Sequence, residues 1–378
     1  MIDVLIGGDV CPIGRNLEYF KKGDAEGIFN DLLGEFQNAQ LSIVNLECPL
    51  IEENSPIVKI GPALGAPGDC INGFKAAHID ILNLANNHIM DHGSKGLINT
   101  LQKCDESGIA TVGAGLNLET ASRILIREIE GIRIGVLGIA EREFSIATET
   151  SPGASPLDAA RFIRNVKRSR GTFDYLIVLV HAGACDYPFP SPRLMDICRF
   201  MAENGADVVL CQHSHCPGTI EQYEGSYIVY GQGNLVFDWK SRPGSPWTKG
   251  FLVKLSIETP GNHELHIIPF VQSDQGIGAK SMSRNEAELF KSKIREMSLI
   301  LANPTLVEQE WISFCNEQKN LYFLNVLFGM NSGLLRRVLR RIPVAERFAT
   351  KKRRMLLHNL IRCETHREII ETILGSEQ

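Results

Sequence analysis

Short, continuous apolar runs recur along the first part of the chain: Val4–Gly7, Leu41–Leu46, Ile79–Ala85, Ile134–Ile139, Leu176–Val180 and Val208–Cys211. Runs of this length without polar alternation predict strands buried on both faces. Helix-period segments lie between them at Gly27–Asn38, Gly93–Ser107, Leu157–Ser169 and Pro192–Asn204. The alternation predicts an α/β fold with substantial parallel sheet. From Gly218 to Pro269 short β-rich segments (Tyr227–Tyr230, Phe251–Ile257, Glu264–Pro269) replace the helices and predict a closing β-meander. Past Ser281 the segments Glu286–Ile300, Thr305–Gln318, Gly333–Arg341 and Val344–Cys363 all read as helices. The expected organisation is an α/β domain over residues 1–275 and a helical extension over residues 282–378.

Composition narrows this picture. The 378 residues are 44% hydrophobic and 22% charged, close to the globular average, which excludes wholesale disorder. No apolar run approaches the roughly 20 residues of a membrane helix. The N-terminus reads as a first strand rather than a signal peptide. Ten cysteines at irregular spacing, with no C-x-x-C pair, predict reduced thiols and a cytoplasmic protein. Charge is uneven: residues 291–378 carry 15 Lys+Arg against 9 Asp+Glu, so a net −5 divides into +6 there and −11 over the rest. A basic tail on an acidic body predicts a negatively charged partner for the tail.

The chemistry is positional. Successive apolar strands end in residues of metal-ligand type: Gly8-Asp9, Asn45-Leu46-Glu47, Asn86-Asn87-His88, His181-Ala182-Gly183 and His213-Ser214-His215. Ligands of open α/β sheets bind at the carboxyl ends of strands, so these five clusters can converge on one site. Three imidazoles (His181, His213, His215), two carboxylates (Asp9, Glu47) and the Asn87 amide form a mixed N/O set. That set suits Zn, Mn or Fe better than Ca or Mg. Six groups exceed one tetrahedral ion and suit a pair of ions. Each residue alone has a plainer reading as a turn, cap or core residue. The joint pattern is what points to metal, and His-x-His is its most specific part, read as two rings on one side of an extended chain.

These residues are familiar in their order. The segments Gly8-Asp9-Val10, Asn45-Leu46-Glu47, Lys59-Ile60-Gly61-Pro62, Leu84–His88 with Asp91-His92-Gly93, Gly113–Asn117, His181-Ala182-Gly183, Gly205–Val209, His213-Ser214-His215 and Tyr230–Asn234 with Phe237-Asp238 resemble the CapA family. These are capsule and poly-γ-glutamate biosynthesis proteins with a calcineurin-like metallophosphoesterase fold. The resemblance spans about Asp3 to Val271. It implies a four-layer α/β/β/α sandwich and two divalent ions. Asp9 and His215 would serve the first ion and Asn87, His181 and His213 the second, with Glu47 bridging. His88, beside Asn87, would be the general acid or oxyanion stabiliser, and Lys59, Asp186 and Asn234 would contact substrate. The implied activity is metal-dependent hydrolysis, by a metal-bound hydroxide, of a phosphoester or γ-glutamyl-like amide bond in an anionic substrate of capsule, exopolysaccharide or poly-γ-glutamate metabolism.

Two departures weaken the transfer. The superfamily commonly has Asp-x-His on its first strand, whereas this chain has Asp9-Val10-Cys11, and Cys11 reads as a small buried residue. Relatives also carry an aromatic directly after the equivalent of His181 and an acid three residues after that aromatic; this chain has Ala182 in the first place, and Asp186 fills the second by a one-residue shift. The alternative function is a non-catalytic accessory of a polymer synthase, docked at the inner membrane face. In the tail, Arg336, Arg337, Arg340 and Arg341 form one helical stripe beside Leu334, Leu335, Val338 and Leu339, and Lys351–Arg354 form a second cluster. The sequence favours a helical subdomain with a solvated basic exterior. A basic amphipathic helix on an anionic membrane surface is the other reading, giving peripheral contact with the inner membrane. Nucleic acid ranks below both.

Overall fold

A computed structural model describes residues 1–239, 242–329, 339 and 349–375. The buried apolar runs become strands in two mixed sheets. The first sheet, eight-stranded among the described residues, runs in the order Ala279–Ser281, Asn262–Gln272, Lys249–Thr259, Ile2–Cys11, Leu41–Leu46, Ile81–Asn83, Ala110–Val112; Asn234–Phe237 pairs with the end of Ile2–Cys11. The second runs Ile220–Tyr223, Ser226–Val229, Val208–Gln212, Tyr175–His181, Ile132–Ala140, Leu125–Ile129. The centre of each is parallel, as expected of strands joined through helices.

Alternating side chains divide between two faces of each sheet. Val4, Ile6, Ile43 and Ile81 meet Val136, Ile177, Leu179 and Leu210 in a core between the sheets. On the far side of the first sheet, Leu5, Val44 and Leu82 pack with Phe20, Phe74 and Leu97 from helices Leu17–Lys22, Ile71–Ala76 and Gly93–Ser107. On the far side of the second, Leu137, Val178 and Val209 pack with Phe162, Leu194 and Met201 from helices Ala159–Arg168 and Pro192–Glu203. The layers are therefore α/β/β/α, as the family resemblance implies.

The closing meander is corrected. Ser226–Val229 lies in the second sheet and pairs with Val208–Gln212, whereas Lys249–Thr259 and Asn262–Gln272 form a hairpin in the first. Strand periodicity does not carry sheet membership. The first compact unit also extends past the expected boundary. It covers Met1–Trp311, and a second unit covers Ile312–Gln378. Helix Arg284–Ser298 belongs to the first because Ile294 is buried in the intersheet core, with Phe290 and Met297 against it. The second unit contains helices Lys351–Arg362 and Glu364–Gly375. The stripe Arg336–Arg341 lies outside the described residues apart from Leu339. Among the described residues no helix is long and apolar enough to cross a membrane.

Register aligns the strand ends. Asp9 stands opposite Asn45 on one side and Asn234 on the other. His181 stands opposite Gln212 and Ala140. Gly8 allows the close approach beneath Asp9: a Cβ there would lie 2.0 Å from the Gly233 carbonyl oxygen.

Candidate metal centre

Five of the six expected ligands come from strand ends and the turns directly after them; Asn87 comes from the loop after Ile81–Asn83. Two groups of ligand atoms form, Glu47 with His181 and His213, and Asp9 with Glu47 and His215. Within each group the atoms lie within 4.8 Å of one another, and Glu47 is common to both. His181 Nε2 is 3.0 Å from His213 Nδ1, 3.1 Å from Asn87 Oδ1 and 3.4 Å from Glu47 Oε1. His215 Nε2 is 3.6 Å from the same Glu47 oxygen.

Burial gives these groups unusual proton affinities. Asp9 is pushed up to about 7 by burial, against the hydrogen bonds it accepts from Asn45 Nδ2 (2.7 Å) and the His213 N–H (3.1 Å). Glu47 is raised well above the carboxylate range by burial and then by repulsion from Asp9. His181 and His215 are held well below the usual imidazole value by burial first and by His213 second, and burial lowers His213 too.

The donor set fits divalent metal. Both Glu47 carboxylate oxygens are buried without a hydrogen-bond partner, a costly condition that calls for an explanation. A single imidazole nitrogen cannot satisfy Asn87 Oδ1, Glu47 Oε1 and His213 Nδ1 together. An ion at the same place would explain both observations. The mixed N/O donors match Zn, Mn or Fe.

The surroundings orient the donors. His215 Nδ1 is 2.8 Å from Asn234 Oδ1, which leaves Nε2 for a ligand role. Asn234, expected at the substrate, is fully buried and donates its Nδ2 to the Trp247 carbonyl. The Asn45 amide bridges Asp9 Oδ1 and His181 Nδ1 at 2.7 and 3.3 Å. The geometry of His-x-His differs from the extended chain expected. The strand ends at Gln212, and His213 and His215 have φ of 96° and 55°. Non-glycine residues in that region carry strain that a functional site sustains. Cys11 is buried and raised by burial and by Cys48, in keeping with a small core residue.

His88 sits beside the centre, with Nδ1 2.6 Å from Asp91 Oδ2. Lys59, expected to meet substrate, points inward instead. Its side chain is 2% exposed, and Nζ is 2.5 Å from Asp91 Oδ1 and 3.3 Å from His88 Nδ1. Asp186 lies on the loop after His181 and donates its N–H to the Ser214 carbonyl (2.8 Å), between the two histidines. Sequence reasoning missed Glu141 and Glu143, although they follow strand Ile132–Ala140 and so obey the same strand-end rule. Glu143 Oε2 accepts from Asn87 Nδ2 (3.3 Å), and Glu141 accepts from the Gly183 N–H (3.1 Å) and pairs with Arg193.

Residues 3–239 match the family described as bacterial capsule synthesis protein PGA_cap. The chain belongs to that family. It is 27% identical over 275 residues to the capsule biosynthesis protein CapA of Bacillus anthracis, covering 69% of this chain and 65% of that protein. It is 30% identical over 272 residues to the PGA biosynthesis protein CapA of Bacillus subtilis (strain 168), covering 69% of each. The chain thus spans about two thirds of the length of these curated relatives. Among solved structures it is similar to a putative 5'-nucleotidase from Staphylococcus aureus, with 12% identity and a TM-score of 0.43 over 78% of this chain and 58% of that one.

Proposed function

We propose that this capsule-synthesis family member is a metal-dependent hydrolase that cleaves a phosphoester, or a γ-glutamyl-like amide, in an anionic substrate of capsule or poly-γ-glutamate metabolism. The observation that carries the reading is Glu47: a buried carboxylate with both oxygens unpartnered, common to two groups of ligand atoms. Asp9, Glu47 and His215 would hold one ion, and Glu47, His181, His213 and Asn87 a second. Divalent ions held there supply Lewis acidity and lower the pKa of water.

The chain's own groups do the rest. Asp91 takes His88 Nδ1, so Nε2 is the nitrogen left to hydrogen bond the leaving group or oxyanion and to deliver a proton. Lys59 balances the Asp91 carboxylate and ties the loop around residue 59 to this dyad. The Leu64 N–H donates to the same carboxylate at 2.6 Å and closes that loop. Phosphoester and amide cleavage both develop an oxyanion, and this arrangement serves either.

The test is elemental analysis of chelator-free protein, wild type beside His213→Ala, with turnover measured on phosphoester and γ-glutamyl substrates. One to two equivalents of Mn, Zn or Fe in wild type, reduced in the variant together with turnover, is the expected result. A wild type that holds no metal, even after Mn or Zn is added back, would overturn the reading. It would favour the non-catalytic accessory, an alternative supported by Cys11 at the position where the superfamily commonly places a histidine.

For the tail we infer peripheral contact with an anionic membrane at the cytoplasmic face. Lys351, Lys352, Arg353 and Arg354 occupy the first turn of their helix, against the helix dipole, which favours an anionic partner. Met355, Leu356 and Ile361 of that helix are exposed. Co-sedimentation with phosphatidylglycerol vesicles but not with phosphatidylcholine vesicles is expected; equal partitioning to both would overturn it.

A further inference from the structure

A cation stands at the edge of the centre, and among the described residues part of its hydrogen-bonding capacity is uncommitted. Arg242 Nη1 donates to both oxygens of Asp186, at 2.8 and 3.0 Å. Its guanidinium carbon lies 4.7 Å from the centroid of the Trp247 ring. Trp247 in turn lies 4.3 Å, centroid to centroid, from His215, with 36° between the planes. Asp186 is fixed through its N–H to the Ser214 carbonyl, between the two ligand histidines. Arg242 is therefore tied to the centre twice, through Trp247 to His215 and through Asp186 to the His213–His215 turn.

The pair is poorly explained as a stabilising device. The Arg242 and Asp186 side chains are 35% and 47% exposed, and ion pairs this open contribute little to folding. What the contacts do is set an orientation. Asp186 occupies one nitrogen of the fork and Trp247 one face of the plane, a preorganised geometry of the kind that recognises carboxylate or phosphate in a bidentate manner. Two other cations near the centre are committed: Lys59 is buried on Asp91, and Arg193 pairs with Glu141.

We propose that Arg242 is a specificity-determining residue, which takes a second anionic group of the substrate, a carboxylate or a phosphate, away from the reacting bond. The substrate class is thereby narrowed to molecules with at least two anionic groups. This rests on the hydrolase reading for the word substrate, but its test needs no turnover.

The experiment is calorimetric titration of wild type, Arg242→Ala and Arg242→Lys, each incubated with Mn beforehand and assayed for metal content. Four probes are used. Tri-γ-glutamate and glucose 1,6-bisphosphate carry several anionic groups, and acetate and glucose 1-phosphate are their single-group counterparts. The expected result is that Arg242→Ala weakens one multi-anionic probe by about 10-fold or more, the scale of a charge-assisted bidentate contact. Arg242→Lys should fall between. Metal content and the single-group probes should match wild type, and the probe affected distinguishes a carboxylate substrate from a phosphate one. Unchanged binding of both multi-anionic probes in Arg242→Ala, or no binding of either by wild type, would overturn the proposal. So would a loss of metal in the variant, or an equal loss for single-group and multi-anionic probes. A protein that binds these probes as expected but turns over no substrate would defeat the hydrolase reading and leave Arg242 as an anion-recognition residue.

Discussion

Glu47 Oε1 lies 3.4 Å from His181 Nε2, and that carboxylate accepts no hydrogen bond from any of the described residues. A buried acid in this state is tolerable only when protonated or bound to a cation. Burial and the nearby Asp9 raise its proton affinity, which favours the neutral acid in metal-free protein. Glutamine is nearly isosteric with the neutral acid. Glu47→Gln should therefore leave the melting temperature of metal-free protein at pH 6 close to wild type. Adding Mn or Zn at about 100 times the dissociation constant should stabilise wild type by about 2.7 kcal/mol and the variant far less. Thermal melts with and without metal check both halves.

Metal binding should release protons in a pH-dependent number. Asp9, near 7 in the metal-free site, is mostly protonated at pH 6 and mostly ionised at pH 8. A metal selects the ionised form, so it must displace that proton at pH 6 and not at pH 8. Apparent affinity should rise with pH and flatten above about 7 as far as Asp9 is concerned. His181 and His215, held neutral well below the usual imidazole value, contribute no release over this range. Calorimetry in buffers of different ionisation enthalpy counts the protons. Asp9 lowers the count by about one between pH 6 and pH 8, Glu47 adds to the release for as long as it keeps its proton, and a count that rises would reverse the argument.

The candidate ligands were legible in the chain because they depend on one local rule, polar residues directly after buried strands. That rule found Asp9, Glu47, Asn87, His181, His213 and His215, and applied to Ile132–Ala140 it would also have found Glu141 and Glu143. The α/β class was legible for a similar reason, since apolar runs and helix periods are local, whereas the four layers came from the family resemblance. Contacts distant in sequence were not. Nothing in Lys59-Ile60-Gly61-Pro62 says that the lysine turns inward to Asp91, 32 residues away. Nothing near Asn234 says that it spends its amide on His215 and Trp247. The two sheets could not be told apart in the β-rich segment because both present the same period of two.

Gly8 tests how tightly the fold fixes the first ligand. A methyl group there would meet the Gly233 backbone oxygen, which cannot swing aside as a side chain can. Gly8→Ala should cost at least the 1–3 kcal/mol typical of overpacking. It should also displace Asp9 from its register with Asn45 and Asn234. The expected outcome is a lower melting temperature together with weaker metal binding. Gly34 has nothing within 4 Å of an added Cβ, and Gly34→Ala should leave metal binding unchanged.

The Lys59–Asp91–His88 group separates assembly from chemistry. His88→Ala removes a ring but leaves every expected metal ligand, so metal content should hold while turnover falls by about 10²–10⁴, the usual range for a positioned acid or base. Asp91→Ala does something different. It strips the counter-ion from a lysine whose side chain is 2% exposed, and it removes the acceptor for the Leu64 N–H. Breaking a buried pair from one side costs about 3–5 kcal/mol, because the remaining charge stays buried and alone. Asp91→Ala should therefore lose both stability and turnover. Replacing the pair together, Lys59→Met with Asp91→Asn, should recover much of the stability, since no uncompensated charge is left. Turnover should stay low in that double variant because the carboxylate that orients His88 Nδ1 is gone. Chemical denaturation alongside steady-state rates on the three proteins reads the two effects separately, and a double variant with restored rates would show that Asp91 only holds the loop.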